Sequence, residues 1–74
     1  MNELELARTL AKALTAGDES ARPALVDLLL EVNCPHAAEH LRANSCHYGV
    51  DGCKVIHPLV RHHDFKTVEE WCTE

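Results

Sequence analysis

Two helix stops cut the first 44 residues of this chain into three short amphipathic segments. Gly17 is the residue type that ends helices in the left-handed conformation, and Asn33 is the commonest substitute for it. The links around them are only a few residues long, so successive segments must double back as neighbours, up, down and up. In the first segment, Asn2 with Glu5 three residues on fits a capping box. Leu6, Leu10, Ala13 and Leu14 then recur at helical spacing, widened by Ala7 and Ala11. Asp18-Glu19-Ser20 connects to a second helix from about Ala21, which tolerates Pro23 in its first turn. Leu25, Leu28, Leu29 and Val32 form its apolar face, broadened by Val26 and Leu30, so it belongs at the centre of the core. Cys34-Pro35 opens a third helix at cap and first position, with Ala37, Ala38 and Leu41 facing inward as far as about Asn44.

The chain changes character after residue 44. All four cysteines and six histidines lie between Cys34 and Cys72, and seven of these ten follow residue 45. Asp51-Gly52, flanked by strand-forming residues, signals a hairpin turn, and the same glycines suit an irregular metal-binding loop. His57-Pro58 is expected to break the segment, because a residue before proline disfavours helix. One short helical turn over residues 58–63 and a last short helix, opened by a Thr67–Glu70 capping box and running through Trp71, complete the reading. The expectation is a mainly α fold. It is one small domain of three to four helices, with a Cys/His-rich loop or short β-hairpin around residues 46–57. Residues 1–44 form its helical half and residues 45–74 its Cys/His-rich half.

A 74-residue chain whose apolar content is mostly Leu, Val and Ala has a thin core, on the order of 3–5 kcal/mol by itself. A metal, a disulfide or a partner would compensate. The start of the chain is acidic and then amphipathic, without the basic start and apolar run of a signal peptide. A reducing cytoplasm is therefore the expected location, where cysteines remain thiols or metal thiolates. No stretch approaches the apolar length of a membrane span.

Zinc needs four tetrahedral ligands, and structural sites draw them from short Cys and His pairs. Cys46, Cys53 and His57 fall on one face if Asp51-Gly52 turns a two-residue hairpin, because strand side chains alternate. His62 supplies a fourth ligand at the four-residue gap of many Cys2His2 sites, with His63 or Cys72 as substitutes. Six residues between the two cysteines is wider than the usual two to four. His36 and His40 share a helix face near Cys34, but position 37 is Ala where a zinc protease carries its glutamate, which favours a solvated surface.

Residues 10–42 resemble the short repeat-companion domain of large bacterial paralogous families. The resemblance rests on Asp18-Glu19, Leu30-Glu31 and Ala38-Glu39-His40-Leu41-Arg42. Leu28-Leu29 stand where that family has Asp-Trp, and Cys34-Pro35 replaces its Gly-Asp turn. The match spans under half of the chain. It implies a small helical module without established chemistry.

Catalysis finds no motif: there is no Cys-x-x-Cys, no glycine-rich phosphate loop, and little room for a cleft in a chain this short. The expected function is a small non-catalytic protein–protein interaction module, with structural zinc as a possible clip. Trp71 is its candidate partner anchor, since Trp is enriched at binding hot spots, or else the plug of a Trp-poor core. The net charge of −5 points to a protein partner with a basic surface. A zinc-dependent nucleic-acid-binding regulator using residues 54–66 is the alternative, opposed by that charge. A metal-handling or thiol redox-sensing protein is a third reading.

Overall fold

The computed structural model describes residues 2–43 and 55–73. It is mainly α: helix α1 spans Glu3–Thr15, α2 Ala21–Glu31, α3 Pro35–Ala43, α4 Ile56–Val60 and α5 Phe65–Thr73. No strand occurs among the described residues, and the predicted hairpin around residues 46–57 lies largely outside them. Each helix packs chiefly against two others, α1 on α2, α2 on α3, α3 on α5, α5 on α4, and α4 back on α1. The five therefore form a closed ring around one core.

Helix α1 starts as its sequence predicts. The Asn2 side chain accepts the Glu5 N–H at 2.8 Å, satisfying a donor that has no intrahelical acceptor. Its buried stripe is turned from the predicted one. Ala7, Ala11 and Leu14 face the core, while Leu6 is 40% exposed. The alanines let neighbouring helices approach closely, so the stripe centres on them. A correction also applies to α2: Leu25, Leu28 and Leu29 are buried with Val26, but Leu30 points outward and is 55% exposed.

Three of the five helices end in the same way. After α1, the Gly17 N–H donates to the Leu14 carbonyl and the Asp18 N–H to the Ala13 carbonyl, with Gly17 at φ 94°. After α2, the Asn33 N–H donates to Leu30 and the Cys34 N–H to Leu29, with Asn33 at φ 63°. After α4, the His62 N–H donates to Leu59 and the His63 N–H to Pro58, with His62 at φ 68°. This is the Schellman motif, which pairs the last carbonyls of a helix and reverses the chain. A Cβ on Gly17 would meet nothing within 4 Å, so glycine is there for its dihedral angle and not for space.

Two expectations fail in the second half. The break predicted at His57-Pro58 does not occur, because α4 begins at Ile56 and Pro58 sits in its first turn, where no intrahelical N–H is needed. The break comes at His62 instead. Helix α5 begins a turn before the predicted Thr67–Glu70 box: Asp64 accepts the Thr67 N–H at 2.9 Å and caps a helix starting at Phe65. The Thr67 backbone and hydroxyl hold the Asp64 carboxyl below its usual range. Both short helices contribute to the common core through Val55, Ile56, Leu59 and Val68, all essentially buried.

Substitution of Asn33 or His62 by Gly should leave stability equal or higher in urea unfolding. A β-branched Val at either position should lower it by about 1–2 kcal/mol, the cost of holding a left-handed residue with a crowded Cβ.

Candidate functional site

Helix α3 begins without a side-chain cap of its own. Cys34 occupies the cap position, and its thiol is a poor acceptor for the orphan N–H groups beyond it. The missing acceptor comes from α5. Glu69 Oε1 accepts the Ala37 N–H at 2.8 Å, and Oε2 accepts the His36 N–H at 3.2 Å. Oε2 also lies 2.8 Å from His36 Nδ1, so a protonated Nδ1 donates to the same carboxylate. Burial by itself would raise the Glu69 carboxyl. The hydrogen bonds from Ala37 and His36 outweigh that and hold it below the usual range. An anion at a helix N-terminus also complements the helix dipole.

The other end of α3 is held by a cation. Arg22, near the start of α2, donates from Nη1 to the Leu41 carbonyl at 3.0 Å while its Nε pairs with Glu19 at 2.9 Å. Arg8 of α1 donates similarly to the His62 carbonyl beyond α4, at 3.0 Å. Side chains from neighbouring helices thus complete helix ends that local sequence leaves open.

The clamp on α3 shapes one wall of a groove between α2 and α3. Two adjacent hollows, of about 300 and 260 Å³, share Val26 and Arg42. Pro23 lines the first, and Leu30, Pro35 and Ala38 line the second. Leu30, Val26 and Pro35 give the groove an apolar character. Arg42 on its rim pairs with Glu39 (Nε–Oε2 3.1 Å). Helical spacing alone places Leu30 in the core, so the sequence does not reveal this surface. The signal was an α2 helix apolar on more sides than its two neighbouring helices can cover.

The predicted metal ligands divide. Cys46 and Cys53 lie outside the described residues. His57 is exposed in the first turn of α4, and His62 is exposed just beyond that helix in the left-handed turn. His57 also borders a third hollow of about 320 Å³, between the end of α1 and α4. Among the described residues no three His, Cys, Asp or Glu side chains gather in a way that could hold a metal ion. His36 belongs to the α3 cap through its contacts with Glu69. Cys34 is buried, with its thiol 3.7 Å from the Phe65 carbonyl. Burial, and then the Glu69 charge, push that thiol up, which suppresses the reactive thiolate. Trp71 is 36% exposed on α5, its ring 5.5 Å from that of His63 and tilted by 51°. It is not the plug of the core.

Searches against protein-family models, curated proteins and solved structures return no match to this chain. No described helix is long and apolar enough to cross a membrane.

Two measurements follow. Glu69→Ala should cost about 1–2 kcal/mol of stability at neutral pH, the scale of a lost helix cap. Because the folded-state carboxyl is depressed, its contribution is present above the unfolded value of about 4.3 and fades as pH falls through the lower folded value. The stability difference between wild type and variant should therefore shrink on acidification, as read from urea unfolding at several pH values. For the metal, the spacing of Cys46, Cys53, His57 and His62 predicts one zinc per chain by elemental analysis. Folded, metal-free protein with four titratable thiols would contradict it.

Proposed function

We propose that this chain is a small non-catalytic protein–protein interaction module of a reducing cytoplasm, and that the groove between α2 and α3 is its contact surface. One observation carries the reading: Leu30, 55% exposed, lines one of two adjacent, mainly apolar hollows on a helix whose other leucines are buried. Full burial of a leucine contributes about 1.5–3 kcal/mol, and covering the exposed half of Leu30 recovers roughly half of that. Leu30 is also the most exposed large apolar side chain among the described residues. Trp71, the anchor expected from composition, is fractionally less exposed and already contacts the His63 ring.

The surroundings support a binding role over catalysis. The groove's cations are rim charges engaged with carboxylates, Arg22 with Glu19 and Arg42 with Glu39. No nucleophile–base pair faces into it, and the buried Cys34 has its thiol raised. The overall acidic charge draws a partner with basic character. The groove is formed by α2 and α3 alone, so the reading does not depend on zinc.

A photoreactive residue placed at position 30 in the host cell should yield a discrete protein adduct. The same residue at position 12, on the exposed side of α1, should not. Equal adducts at both positions, or none at position 30, would contradict the assignment of the groove.

A further inference from the structure

We infer that the groove takes an amphipathic helix carrying lysine or arginine beside its apolar stripe. This rests on the groove being the contact surface and goes further by naming the chemistry of its occupant. The first argument is backbone accounting. An extended peptide would need a partner for its own N–H and C=O groups, usually a free sheet edge, and the described residues contain no strand. A helix brings its main-chain hydrogen bonds with it and needs only apolar contacts.

The second argument is length. Along α2 the groove runs from Pro23 to Leu30, seven residues, or about 10 Å at the helical rise. Two turns of a facing helix cover that distance, so side chains at i, i+4 and i+7 reach the two hollows in succession.

The third argument is charge. The cations of the rim are already matched, Arg22 by Glu19 and Arg42 by Glu39. Asp27 lines the groove, and Glu31 lies one turn further along the same edge of α2. Among the described residues, neither of these carboxylates carries an ion pair. The uncompensated charge along the groove is therefore negative, in a chain of net charge −5. A second copy of the chain would bring the same carboxylates and the same net charge, which disfavours self-association. A basic helix places its cations opposite Asp27 and Glu31.

The test uses the full chain and three fluorescent peptides of roughly 14 residues, a length at which helices are marginal in isolation but form on docking. One carries Leu at i, i+4 and i+7 with flanking Lys. The second replaces each Lys by Glu, and the third keeps the first composition with its leucines at alternate positions. Fluorescence anisotropy should show the first binding about tenfold tighter than the others. The charge-reversed double variant Asp27→Lys, Glu31→Lys should prefer the Glu peptide, and Leu30→Asp should bind none. Equal or tighter binding of the Glu peptide or the alternating one would overturn the basic-helix assignment. So would Lys-peptide binding that survives Leu30→Asp, which marks unspecific charge attraction, or binding of none of the three. A Leu30-dependent dimer in sedimentation would instead make a second copy the occupant and overturn the proposal. The adduct at position 30 decides separately whether the groove is a contact surface at all.

Discussion

The carboxylate of Glu69 at the start of α3 is the contact on which the arrangement of the second half depends. Helix α3 opens with Cys34-Pro35, so it has no local acceptor for its first N–H groups. Without Glu69, the His36 and Ala37 amides would lose their acceptor where α5 packs, a costly loss for a small domain. The same carboxylate ties α5 to α3 across 33 positions of sequence. At the far end, Arg22 ties α2 to the Leu41 carbonyl. Anion at the N-terminus and cation at the C-terminus both follow the helix dipole. Held from both sides, α3 can serve as a fixed wall.

The closed ring of helices extends this logic. A thin core of alanine, leucine and valine is stable only if all its faces are covered, and the two short C-terminal helices do that work. Ile56 and Leu59 of α4 close on α1, while Val68 of α5 closes between α3 and α4. The core runs through both the helical half and the described part of the Cys/His-rich half. What α2 cannot bury inside the ring, above all Leu30, emerges on the α2–α3 groove.

Much of the fold was legible because helix boundaries have local chemistry. Asn2, Gly17, Asn33 and Pro35 each act where their side-chain or backbone preferences say they should. The failures have one cause, which is that tertiary neighbours decide among locally plausible choices. Leu6 and Leu30 fit a buried stripe by spacing, yet the alanines of α1 and the packing of α2 between two partners leave them outside. Pro58 reads as a breaker until its place in a first turn makes it harmless. The cap on α3 was invisible as a pairing, since nothing local links Glu69 to Ala37. Its need was legible, in a helix start with neither Ser, Thr, Asp nor Asn at the cap. His36 completes the α3 cap and His62 turns the chain, roles that residue type and spacing do not announce.

Amide hydrogen exchange at Ala37 tests the clamp on α3 most directly. An amide at this third helical position has no intrahelical acceptor and exchanges freely unless something else holds it. With Glu69 in place, the Ala37 N–H should exchange slower than in an unstructured chain by about two orders of magnitude or more. Exchange at the unstructured rate, while the Leu41 amide inside the helix remains protected, would show that α5 does not cap α3 and would contradict this account.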